Sequence, residues 1–87
     1  MKVKEEERDS ETRLKLTDTH LDVLQAIEDD EGETRVFSIA TRLGIKIDAA
    51  RKTSTELAEE DYIDLYQSGK CVLLPKGEEA LAARGRV

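Results

Sequence analysis

Residues 36–74 read VFSIATRLGIKIDAARKTSTELAEEDYIDLYQSGKCVLL, and this stretch decides the fold. Val36, Ile39, Ala40 and Leu43 recur at helical spacing and fall on one face. The helix they mark starts near Thr34, with Thr34 or Ser38 as its cap. Gly44 suits the left-handed position that closes a helix, and Ile45 then points inward and pins the turn. A second helical pattern starts at Ile47 or Asp48 and runs to about Glu60. Ala50, Ser54 and Leu57 form its inward stripe. Only Leu57 is large, so Ala50 and Ser54 mark a place where two helices cross closely. The opposite face carries Arg51, Lys52, Thr55, Glu56 and Glu59. Next come Tyr62-Ile63-Asp64-Leu65-Tyr66 and Cys71-Val72-Leu73-Leu74, around a Ser68-Gly69 turn. Two β-prone runs around such a turn predict a hairpin, and the alternation of Ile63 and Leu65 with polar neighbours predicts one buried face. Pro75 ends the second strand and pre-sets a last helix over 76–84, carrying Ala80, Leu81 and Ala83.

Upstream, Thr17 is a plausible N-cap, and Asp18 sits where the helix dipole favours an anion. Leu21, Leu24 and Ile27 continue at helical spacing, with Val23 and Ala26 widening the apolar face. His20 reads as lying on the exposed side of this helix's first turn. The helix runs into Glu28-Asp29-Asp30-Glu31-Gly32-Glu33. Acids at a helix C-terminus oppose the dipole, so the expectation is fraying there, with Gly32 as the stop. The spacing of these acids does not fit a calcium-binding loop, and they read as a solvated loop. Residues 1–15 hold five cations and five anions with almost no apolar side chains, as expected of a flexible charged arm. The domain organisation is thus an arm over 1–15, one domain over 16–84 and a tail over 85–87.

The chain has 87 residues, of which 39% are charged and 3% aromatic, so the core must be built from Leu, Ile, Val and Ala. A core that small gives marginal stability, and size alone raises the expectation of a homodimer, through the last helix with Leu81 and Ala83 or through the arm. No apolar run approaches the roughly 18 residues of a membrane span, and no secretory leader is read. Cys71 is alone, which removes a disulfide framework or a zinc set and suits a reduced thiol in the cytoplasm. Net charge is −6, which argues against indiscriminate polyanion binding. The charge is uneven, however. Between 17 and 33 stand Asp18, Asp22, Glu28, Asp29, Asp30, Glu31 and Glu33 with no cation, while Arg35, Arg42, Lys46, Arg51 and Lys52 slightly outnumber the acids of 34–60.

The order of helix, Gly-containing turn, helix and hairpin resembles a winged helix-turn-helix, and the residues resemble the regulators of the MarR and related families over roughly 16–82. Ala40-Thr41-Arg42-Leu43-Gly44 is similar to the Ala-x-x-Leu-Gly segment that ends their second helix. Leu57-Ala58-Glu59-Glu60-Asp61-Tyr62-Ile63 resembles their Leu-Glu-x-x-Gly-Tyr-Ile entry to the wing. Leu74-Pro75-Lys76-Gly77 resembles the Leu-Thr-x-x-Gly that opens their final helix. Three departures stand out. Lys46 occupies a position where a capping Ser or Thr is common, so the expectation is that Asp48 caps and the helix shortens. Asp61 replaces a frequent Gly, but Asp tolerates the left-handed region better than most residues. The wing tip carries one cation, Lys70, where an Arg or Lys pair is common.

The resemblance implies an α+β, mostly helical fold with a three-helix core, a β-hairpin wing and a short C-terminal helix. It implies a transcriptional regulator that binds double-stranded DNA, with the helix at about 48–60 in the major groove and the wing at 62–74 on the backbone or minor groove. Arg51, Lys52 and Thr55 are the candidates for reading bases. Arg42, Lys46 and Lys70 are the candidates for holding phosphates. Glu56 is placed to accept from cytosine, and Glu59 to clear the groove. The alternative is a winged-helix protein-interaction module without direct DNA binding, with the acidic 28–33 segment as its docking surface. No nucleophile–base pair, phosphate-cradling Gly loop or metal-ligand spacing points to an enzyme, and no residue argues for a cofactor or metal.

Overall fold

The computed structural model describes residues 15–85; the arm expected over 1–15 lies almost wholly outside the described residues, as do 86 and 87 of the tail. The order is α1 (Asp18–Asp29), β1 (Glu33–Arg35), α2 (Val36–Leu43), α3 (Ile47–Glu59), β2 (Ile63–Leu65), β3 (Lys70–Leu73) and α4 (Pro75–Ala83). Over the described residues the domain is therefore α+β and mostly helical, with four helices and one antiparallel sheet of strand order β1-β3-β2.

Helix α1 starts as its sequence requires. The Thr17 side chain accepts from the His20 amide at 3.3 Å, and the Thr17 amide donates to His20 Nδ1 at 3.1 Å, so two of the helix's orphan donors are satisfied. Its other end is closed by backbone hydrogen bonds where fraying was expected. The Gly32 amide donates to Ile27 O at 2.8 Å, the Asp30 amide to the same carbonyl at 3.1 Å, and the Glu31 amide to Glu28 O at 3.0 Å. The acids oppose the dipole, but the last carbonyls find amide donors, and that closes the helix. The reversal uses Glu31 at φ 64° as well as Gly32 at φ 86°, so Gly32 is not the sole stop.

Strand β1 has no counterpart among the expectations above. Thr34 and Arg35, expected at or near the start of a helix, are extended and pair with Cys71 and Lys70 of β3, while Glu33 pairs with Val72. Thr34 and Ser38 accordingly cap nothing. Arg35 holds the N-cap position of α2 without a side-chain cap, and the Val36 amide is satisfied by Gly69 O at 2.9 Å, across the hairpin turn. The hairpin thus fixes where α2 begins.

Gly44 closes α2 at φ 69°, with the Ile45 amide donating back to Ala40 O at 3.0 Å. That bond folds Ile45 against the core and delivers the chain to α3. Lys46, not Asp48, holds the N-cap position of α3. No side chain caps that helix, and it keeps the turn that Asp48 capping would have removed. The inward stripe of α3 is Ala50, Thr53, Ser54 and Leu57. Asp61 takes φ 64°, and the Tyr62 amide returns to Leu57 O at 3.0 Å, so the turn survives without Gly.

β2 and β3 pair Ile63 with Leu73 and Leu65 with Cys71, and put Ile63, Cys71 and Leu73 against the helices. Pro75 opens α4, whose Gly77 lies so close to the hairpin's first strand that a Cβ there would meet Tyr62 O at 2.5 Å. Lys76 Nζ donates to Glu60 O at 2.8 Å and sits 4.6 Å from the Tyr62 ring centroid, tying the start of α4 to the end of α3. The largest fully buried side chains are Leu24, Ile27, Ile39, Leu57, Ile63 and Leu81. Leu81, expected as a dimer contact, is instead 0% exposed inside this domain, because α4 packs on α1.

Candidate nucleic-acid interface

The outer face of α3 is set by its buried one. At about 100° per residue, Asp48, Arg51, Lys52, Thr55 and Glu59 fall opposite the stripe through Ala50, Ser54 and Leu57. All five are exposed. Arg51 and Lys52 carry no ion pair among the described residues, so both are free to meet an acceptor. Lys46 stands exposed at the head of the same helix, beside the Gly44 turn. Asp48 and Glu59 bracket the two cations, so the stripe as a whole is neutral, with its positive charge in the first two turns.

Glu56 does not join this face. Its carboxylate lies 2.8 Å from His20 Nε2, on the α1 side of α3. The roles of the ring nitrogens follow from their neighbours. Nδ1 accepts from the Thr17 amide, so the neutral ring carries its proton on Nε2 and donates it to Glu56. His20 is 7% exposed and not on the outer side of the first turn, and Glu56 is not positioned to accept from a base. Sequence held a signal for this: His20, Leu24 and Ile27 share one helical face, four and three residues apart.

The two flanking phosphate candidates are occupied. Arg42 Nη2 lies 3.6 Å from Asp29 Oδ2, across the gap between α2 and the end of α1. Lys70 Nζ lies 3.2 Å from Glu33 Oε2 and 5.6 Å from the Tyr66 ring centroid. Beside Lys70 a polar cleft of about 280 Å³ is lined by Asp30, Glu33, Thr34, Arg35, Ser38 and Lys70. Arg35 is a cation that sequence reasoning did not select. Its cross-strand position opposite Lys70 exists only because β1 pairs with β3, and nothing in Glu33-Thr34-Arg35 announces a strand.

Behind α3 the sheet supplies Cys71, which is wholly buried. Burial pushes its thiol up from the ordinary 9.0, while the nearby Ser54 hydroxyl and the Arg51 charge pull the other way. The Ser54 oxygen is itself buried without a satisfying hydrogen bond. Among the described residues three large apolar side chains are exposed: Phe37 at the start of α2, Ile47 at the start of α3 and Tyr66 at the hairpin. Among the described residues no helix is long and apolar enough to cross a membrane. Compared with models of known protein families, with curated proteins and with solved structures, the chain has no match.

Proposed function

We propose that the protein is a winged helix-turn-helix module of a transcriptional regulator, binding double-stranded DNA with α3 in the major groove and the β2–β3 hairpin against the backbone. The observation that carries this reading is the outer face of α3. Arg51, Lys52 and Thr55 project from the first two and a half turns of a helix that follows a closed Gly44 turn, and no acid pairs with either cation among the described residues. What supports the frame is the element order, with the hairpin directly after α3 and Lys70 at its tip. Arg51 would read guanine through its paired donors, Thr55 would meet a base edge or a thymine methyl, Lys52 would stand beside them at the bases, and Lys46 would hold a phosphate. Arg42 and Lys70 extend the backbone contact on either side. Two such modules reading adjacent half-sites would lengthen the site, which keeps a homodimer within the proposal.

The test is binding to a mixed-sequence duplex at low salt by fluorescence anisotropy. Arg51→Ala combined with Lys52→Ala should weaken binding at least about tenfold, the loss expected when both cations of the reading face are removed. Unchanged binding in that double variant would refute the assignment of α3.

A second reading is favoured by one observation. Phe37, Ile47 and Tyr66 are exposed at 68%, 42% and 52%, large apolar side chains to which the DNA-binding reading gives no role. On that reading the domain docks a protein partner, with the acidic 28–33 segment contributing charge. A wild-type chain that shows no duplex affinity but captures a partner, with capture lost in Phe37→Ser, would favour it over DNA binding.

A further inference from the structure

We infer that the acidic turn after α1 is a built-in competitor for nucleic-acid phosphate: Asp29 and Glu33 hold Arg42 and Lys70, the flanking cations, in the free protein. The inference rests on the DNA-binding reading above and adds a regulatory contact to it.

The geometry is specific to two of the turn's acids. Asp29 Oδ2 reaches Arg42 Nη2 at 3.6 Å, and Glu33 Oε2 reaches Lys70 Nζ at 3.2 Å. Asp30 and Glu31 lie between them and make no ion pair among the described residues. The turn is held in place by backbone bonds. The Gly32 amide donates to Ile27 O at 2.8 Å, and Gly32 O accepts from the Leu73 amide at 2.8 Å, joining the turn to β3. The two carboxylates are therefore presented from a fixed support at the two cations.

A carboxylate and a phosphate make the same demand of a guanidinium or an ammonium, an anionic oxygen at hydrogen-bond distance. A duplex backbone that engages Arg42 and Lys70 must displace Asp29 and Glu33. Both pairs are open to water, with side chains 40–57% exposed, so they are displaceable and lower affinity without abolishing it. Arg51, Lys52 and Lys46 have no such acid partner among the described residues. The competition therefore falls on contacts that hold the backbone and spares the helix assigned to reading bases. The masking lowers affinity for any duplex and leaves the base readout of α3 untouched.

The experiment compares two double variants that lose equal charge from the same turn. Asp29→Asn with Glu33→Gln frees both cations, and Asp30→Asn with Glu31→Gln frees neither. Affinity for a mixed-sequence duplex is measured by anisotropy over roughly 20–200 mM salt, a range in which counterion release dominates. The first pair should bind about 2- to 30-fold tighter than the second at the lowest salt, from two exposed pairs released. Its plot of log affinity against log salt should steepen by up to about 2, close to one counterion for each freed cation. If the wild-type chain binds and the two double variants are indistinguishable, the masking contact is overturned and the DNA-binding reading stands. If neither the wild-type chain nor either variant binds at the lowest salt, both are overturned.

Discussion

Gly77 and Gly44 are both glycines for a reason, and the reasons are opposite. At Gly77 an added Cβ would lie 2.5 Å from a backbone oxygen, Tyr62 O, and 2.6 Å from Leu73 Cδ1. A backbone oxygen cannot rotate away, so Gly77→Ala must push α4 off the hairpin. The expected cost is about 1–3 kcal/mol in urea unfolding, the usual range for overpacking. At Gly44 nothing lies within 4 Å of the same atom, but φ is +69°. Gly44→Ala should therefore cost about 1 kcal/mol through conformation alone, and Gly44→Asn should recover part of it. Equal losses for Ala and Asn at Gly44 would count against that explanation. Cys71 gives a third test at this scale. Its folded thiol holds its proton above the ordinary 9.0, so between the two values the native state binds more protons than the unfolded one. Stability should fall as pH rises past about 9, and Cys71→Ala should flatten that fall. A wild-type slope retained in Cys71→Ala would show that other groups are responsible.

At the scale of the element, local chemistry and pairing divide the work. The cap at Thr17, the turn at Gly44 and the left-handed Asp61 are each written in one or two residues, and each lies where those residues placed it. The inward stripe of α3 and the alternation of Ile63 and Leu65 follow from periodicity and were equally legible. Strand β1 was not. Glu33-Thr34-Arg35 has no apolar alternation, and it is a strand because β3 lies alongside it. Missing β1 misplaced the start of α2 and hid Arg35. The candidate site divides the same way. That Arg51, Lys52 and Thr55 face outward could be read from spacing. The partners of Arg42, Lys70 and Glu56 could not, because Asp29, Glu33 and His20 reach them only through tertiary packing.

At the scale of the molecule, a chain of net charge −6 can meet a polyanion only if its charges are sorted. Here the sorting is partial. Two acids from the end of α1 and the following turn, Asp29 and Glu33, reach Arg42 and Lys70. At the head of α3, Lys46, Arg51 and Lys52 make no ion pair among the described residues, with Asp48 the acid of that first turn. Binding should accordingly be weak, strongly salt-dependent and centred on that helix. An NMR titration of the chain with a mixed-sequence duplex at low salt tests this most directly. Amide shifts should centre on residues 42–55 and the turn at Lys70, with smaller shifts at Asp29 and Glu33 as their cations are released. These should saturate with an affinity of about 10⁻⁴ to 10⁻⁶ M and fade as salt is raised. No shifts at millimolar duplex, or shifts centred away from α3, would contradict it.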